Sequence, residues 1–115
     1  MEFLSDEWFA AANRALVDIG VESDVVVEQR IRDRPDLTYQ LRLADGEASL
    51  VRVEGEADVT LEQSLDTATA IRRGALSGLE AVQNGQVTVA GDPLALIAAA
   101  EALKAVGSAL SAADL

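Results

Sequence analysis

Cysteine and histidine are both absent from the chain. Their absence removes disulfide stapling, thiolate or imidazole zinc sites, cysteine nucleophiles and every histidine-based triad. Aromatic residues make up only 3% of the sequence against 50% hydrophobic residues overall, so the core must be built from Val, Leu, Ile and Ala. Bases are scarce too: nine Lys and Arg stand against twenty Asp and Glu, a formal net charge of −11. A surface of that sign opposes the exchange of cations for counterions that drives binding to phosphate backbones, which argues against nucleic acid as a partner. It also disfavours docking on anionic lipid and leaves only transient membrane contact through a local basic patch. The acidity keeps soluble a chain of positive mean hydropathy, with a salt-adapted source as the alternative. No apolar run approaches the ~20 residues that a membrane span needs. Met1, Glu2, Phe3 and Leu4 lack the basic and apolar regions of a secretory signal. A cytoplasmic protein is the expectation.

At 115 residues the chain suits a single domain, 1–115, with 108–115 as a tail that can fray. Area scaling for this mass buries about two-thirds of the unfolded surface, enough for one core. Ser5 before Asp6 and Glu7 reads as a helix N-cap, and Phe9, Ala12, Leu16 and Ile19 make one apolar stripe ending at Gly20. From Asp24 the period falls to two: Val25, Val27 and Ile31 share one side, Glu28, Arg30 and Arg32 the other. After a turn at Pro35 a second strand alternates through Leu37, Tyr39, Leu41 and Leu43. Asp45-Gly46 marks a tight hairpin into a third strand over 48–54. A short connection at Gly55 and Glu56 leads to a fourth over 57–63, and the four read as a meander. Ser64 and Ser77 cap two short helices that stop at Gly74 and at Asn84-Gly85. Residues 86–90 form the last strand, and Asp92-Pro93 opens one long final helix.

That final helix carries a seam of Leu96, Ala99, Leu103, Val106 and Leu110 at spacings of three and four, with Leu94, Ile97 and Ala98 off it. A helix apolar around most of its girth buries more than one face, against a ligand, a partner or a second copy. The alternative is that its alanines are helix formers that tolerate water.

Candidate chemistry is sparse. Glu54, Glu56, Asp58, Glu62 and Asp66 fall at turns or on the outward side of strands, where carboxylates form a solvated face rather than a catalytic pair. Neither calcium-loop nor phosphate-loop spacing occurs, and no metal or cofactor is implied. Arg30, Arg32, Arg42 and Arg52 project from the outward side of adjacent strands, interleaved with Glu28 and Glu54; cross-strand ion pairs account for them, with a row for a lipid head group as the alternative. Arg72 and Arg73 suit the negative end of a helix, or a head-group clamp at a pocket mouth. Gln29 interrupts an inward row, and an inward amide needs a partner.

The stretch from residue 57 to about 103 resembles the sterol carrier protein 2 family. Ala57-Asp58-Val59-Thr60-Leu61, Ile71-Arg72-Arg73-Gly74-Ala75-Leu76-Ser77 and Ala81-Val82-Gln83-Asn84-Gly85-Gln86-Val87-Thr88-Val89-Ala90-Gly91-Asp92 carry the resemblance. Gly78, Val82 and Gln86 depart from that family's usual proline, aromatic and lysine, which bears on pocket width and head-group chemistry. The resemblance implies an α+β fold: a five-stranded, mainly antiparallel sheet covered by helices, with an internal hydrophobic tunnel for a fatty acid, fatty acyl-CoA or sterol. An aliphatic interior suits such a site, since affinity then comes from area removed from water at about 25 cal/mol per Å². The expected function is non-catalytic lipid binding or carriage. Leu41, Val51, Leu61, Leu76, Leu79, Val82, Val87, Val89, Leu96 and Ile97 are the expected lining, and the last helix is the expected lid. The rival readings are an interaction module that dimerises through the C-terminal helix, and an accessory domain of an acyl or steroid enzyme.

Overall fold

The computed structural model describes residues 2–115; Met1, where the expected domain span begins, lies outside them. Ser5 accepts from the Trp8 amide and opens α1 (Asp6–Leu16), which buries Trp8, Phe9, Ala12 and Leu16. The strands are β1 (Val25–Ile31), β2 (Tyr39–Ala44), β3 (Glu47–Val51), β4 (Val59–Gln63) and β5 (Thr88–Gly91). A turn of 3₁₀ helix at Pro35–Leu37 precedes β2. Ser64 and Ser77 cap α2 (Leu65–Arg72) and α3 (Gly78–Gln83), as their positions before helical stretches predict.

The final helix is two helices, not one. Asp92 caps α4 (Pro93–Ala98), which gives way at Ala99 to α5 (Ala100–Ala112). At the break the Ser23 hydroxyl donates to the Ala98 carbonyl at 2.9 Å, tying the junction to the loop before β1. The bend lets Ala99, Ala102 and Val106 enter the core while Leu94 and Ile97 stay in water. Residues 108–115 continue in order: α5 runs to Ala112, and the Leu115 amide returns to the Leu110 carbonyl.

The sheet order is β3-β2-β1-β4-β5. The meander expectation therefore holds only as far as β3. β4 crosses to the far side of β1 and pairs with it in parallel, while the other neighbours are antiparallel, so the sheet is mixed. Registered residues share a face. On one face lie Leu50, Leu41, Val27 and Val59, with Ala48, Leu43 and Val25 beside them. α1 and α5 pack over these to make the core. Asn13 of α1 holds the outer edge of β3, accepting from the Leu50 amide at 2.8 Å and donating to its carbonyl at 2.9 Å.

The opposite face carries Val51, Gln40, Glu28 and Thr60 in one row. To reach β4 from β3, residues 52–58 must pass across this face, and there they meet the Glu28 carboxylate. Its oxygens accept from the Gly55 amide at 2.8 Å, from Gln40 Nε2 at 3.1 Å and from Arg30 Nε at 2.6 Å. Gln40 also donates to the Glu56 carbonyl. Glu28, read from its alternation as one of an outward row of charges, is fully buried by the connection it holds. Its ion pair with Arg30 runs along one strand, and Arg52 pairs with Asp6 at 3.1 Å, so the expected cross-strand pairing among these arginines gives way to other partners.

Gly91 ends β5 close against the backbone of Asp58. Its φ is +97°, and a Cβ there would stand 2.5 Å from the Asp58 carbonyl oxygen. That oxygen accepts from the Asp92 amide, while the Asp58 carboxylate accepts from the Val26 amide at 2.8 Å. Gly91→Ala meets both a disfavoured φ and an immovable backbone atom, so urea unfolding is expected to show a loss of about 2–4 kcal/mol.

Burial acts to raise the Glu28 carboxyl, but the hydrogen bonds from Arg30, Gln40 and Gly55, with the Arg30 charge, together hold it below its ordinary value of 4.5. A depressed folded-state value means stability that is present above pH 4.5 and lost as pH falls below it. In Glu28→Gln this acid-side slope is expected to flatten. Glu28→Ala, which leaves the Gln40 and Gly55 donors unpaired, is expected to cost about 2–4 kcal/mol at neutral pH by denaturant titration.

Candidate functional site

The expected lining residues fall in three settings. Leu41 and Val87 are buried, Leu41 within the sheet's packed face. Leu61 and Val89 are register partners across β4 and β5, in line with Gln29 and Tyr39, on the face that the helices cover. Leu61 is half-buried, as are Leu76 and Leu96. Val51 is half-buried on the opposite face, beside Gln40. Leu79, Val82, Val89 and Ile97 open to solvent, Leu79 at 69% and Ile97 at 70%.

The last group has company. Seven large apolar side chains are exposed among the described residues, and five of them (Leu79, Val82, Val89, Leu94 and Ile97) come from the consecutive elements α3, β5 and α4. β5 is an edge strand, and among the described residues no side chain bonds its backbone as Asn13 bonds that of β3. Ala81 and Val87 pin the segment inward, with the Val87 amide donating to the Ala81 carbonyl.

The interior row has its polar partners. Gln29 Oε1 accepts from Gln63 Nε2 at 2.7 Å, which answers the inward amide by a second amide. Tyr39 meets Phe9 edge to face at 5.5 Å, Phe9 meets Trp8 at 5.3 Å, and Trp8 meets Phe3 at 5.1 Å. The four aromatic residues thus form one continuous run, with Arg52 over Phe9 and Arg72 over Phe3. The sequence offers no signal for that gathering, since Tyr39 lies far from the others along the chain.

Two open concavities flank α5. One, of about 680 Å³, lies between residues 20–25 and the α4–α5 junction and includes Glu22, Asp24 and Glu101. The other, of about 630 Å³, lies between the end of α2 and the C-terminal half of α5 and includes Arg72, Arg73 and Lys104. Neither takes in an expected lining residue. No group of acidic side chains among the described residues is arranged to hold a metal ion.

The model of the SCP-2 sterol transfer family matches residues 23–104. The chain belongs to that family. Among curated proteins no match is found. Several solved structures share the fold. A crystal structure of sterol carrier protein 2 aligns over 95% of this chain and 97% of its own, with a TM-score of 0.73 at 21% identity. A conserved hypothetical protein of Thermus thermophilus, described as possibly a sterol carrier protein, aligns over 98% and 90%, with a TM-score of 0.68 at 23% identity. A stereoselective inverting sec-alkylsulfatase from a Pseudomonas species aligns over 79% of this chain but only 15% of its own, with a TM-score of 0.61 at 26% identity. The mixed five-stranded sheet with helices is the SCP-2 architecture, and family membership supports lipid binding in general terms.

Burial pushes the Tyr39 phenol up to about 12 from its ordinary value of 10. A raised value means that the folded state holds its proton where the unfolded chain has lost it, so the stabilisation is complete below pH 10 and declines as pH rises towards 12. Ultraviolet difference titration is expected to show a single phenol ionising late, together with loss of the native signal.

Proposed function

We propose that this SCP-2 family member binds and carries a hydrophobic lipid without acting on it chemically, and that the hydrocarbon lies against the apolar face of α3, β5 and α4. The observation that carries this reading is the concentration of exposed Leu79, Val82, Val89, Leu94 and Ile97 on these three consecutive elements. Water against such side chains is unfavourable by about 25 cal/mol per Å², and a methylene chain removes both surfaces from it at once. Contact of that kind is non-directional, so a fatty acid, fatty acyl tail or sterol is accepted by size rather than by exact shape. Leu61, Leu76 and Leu96, half-buried around the same elements, form the inner boundary, and a small movement of α4 about Ala99 would admit the ligand past them. No helix among the described residues is long and apolar enough to cross a membrane.

A second reading draws on the sulfatase structure, in which the shared fold occupies a small part of a larger enzyme. On that reading the domain is an accessory unit, and the same apolar face covers a partner. Dimerisation would also use α4 rather than α5, whose buried Ala102 and Val106 are committed to the core.

Leu79→Glu and Ile97→Asp separate these readings, because both side chains are exposed and neither supports the fold. Each variant is expected to keep the wild-type circular dichroism and to bind a long-chain fluorescent fatty acid about tenfold to a hundredfold more weakly, in line with the ~1.5–3 kcal/mol of a buried aliphatic side chain. Unchanged probe binding, with a concentration-dependent dimer of the wild type abolished in the variants by sedimentation, favours the interaction module.

A further inference from the structure

We propose that the concavity between α2 and α5 is a site for an oxyanion, a carboxylate or phosphate, either free or at the head of an amphiphile. Only the second source rests on the lipid-carrier reading. Three of the nine side-chain cations line this one concavity, and none of the twenty Asp and Glu side chains does. In a molecule of net charge −11 that is an inversion of the average surface. Placement at the negative end of α2 would account for Arg72 and Arg73, but Lys104 belongs to α5 and is the chain's single lysine.

The geometry of α5 adds to this. Lys104, Ser108 and Ser111 are spaced four and three apart, so they share a stripe of the helix, and all three line the concavity. Two hydroxyls therefore stand on the same stripe as the ammonium group. Across from them Arg72 is held in place: its guanidinium lies over the Phe3 ring at 5.1 Å, and its Nε donates to a main-chain oxygen of Leu115, the last residue of the sequence. A fixed guanidinium loses less freedom on gripping an oxyanion than a mobile one. Arg73 and Lys104 take part in none of the ion pairs among the described residues. Gly107, inside α5, also lines the site, and a Cβ there would meet nothing within 4 Å. A helix-interior glycine costs about 1 kcal/mol relative to alanine, and here no packing constraint requires it. What it does is leave the floor of the concavity open.

The concavity on the other flank of α5 has the opposite character, with Glu22, Asp24 and Glu101 and no cation. An oxyanion is thus drawn to the C-terminal half of α5 and repelled from its start.

Three probes test the site: laurate, dodecanol and inorganic phosphate, each titrated into wild type, Arg73→Gln/Lys104→Gln and Gly107→Glu. The two neutralised side chains are exposed, and the introduced glutamate places a carboxylate inside the site without a disfavoured φ. Laurate is expected to bind wild type about tenfold more tightly than dodecanol. Both variants should erase that preference while leaving dodecanol affinity unchanged. Inorganic phosphate is expected to shift the amide resonances around Arg73 and Lys104 in wild type alone, less so at high salt. Phosphate shifts without binding of either amphiphile support the oxyanion site with a free ion as its source, and tell against the lipid-carrier reading. Equal binding of laurate and dodecanol to wild type, with no phosphate-dependent shift, overturns the proposal while leaving lipid carriage standing. Binding of neither amphiphile and no phosphate shift overturns both.

Discussion

The fold turns on how one connection crosses the sheet. β3 lies at one edge and β4 beyond the sheet's centre, so residues 52–58 have to travel beneath β2 and β1. A backbone segment over a sheet face needs partners for its amides and carbonyls. Glu28 and Gln40 supply them, one carboxylate accepting from the Gly55 amide and one amide donating to the Glu56 carbonyl. With the crossover held, Asp58 reaches β1 through Val26 and receives the Asp92 amide on its own carbonyl. β4 is then in register with β1, β5 has a strand to pair with, and the chain leaves Gly91 in the direction that starts α4. Every element of the candidate site follows from that placement.

The two edges of the sheet are treated differently. At the β3 edge, α1 covers the strand and Asn13 satisfies both backbone groups of Leu50. At the β5 edge, strand and flanking helices keep their larger apolar side chains in water. Long exposed edges invite pairing with other chains. β5 limits this by being four residues long and by ending at a glycine whose backbone is pressed against Asp58. Hydrophobic surface is therefore offered for contact with something other than another strand, which accords with an apolar small-molecule partner.

Helix α5 links the parts. One of its stripes enters the core through Ala102 and Val106, and another carries Lys104, Ser108 and Ser111 past the end of α2. The break at Ala99 separates it from α4, the helix that bears Leu94 and Ile97.

Much of this was written locally. Ser5, Ser64, Ser77 and Asp92 stand as N-caps because a short side-chain oxygen satisfies the first free amides of the turn that follows it, an effect confined to a few residues. Period-two alternation in Val25, Val27 and Ile31 sorted residues onto faces for the same reason, and the motifs around Gly85, Gly91 and Asp92 pointed to the family. Alternation, however, says which residues share a face and not which strand is the neighbour. The parallel pairing of β1 with β4, the burial of Glu28 under the crossover, the break at Ala99 and the gathering of Arg72, Arg73 and Lys104 around one concavity all join residues distant in sequence. Tertiary structure decided these, because a contact across the sheet is selected by the closure and packing of the whole chain, and no short stretch of sequence contains both of its partners.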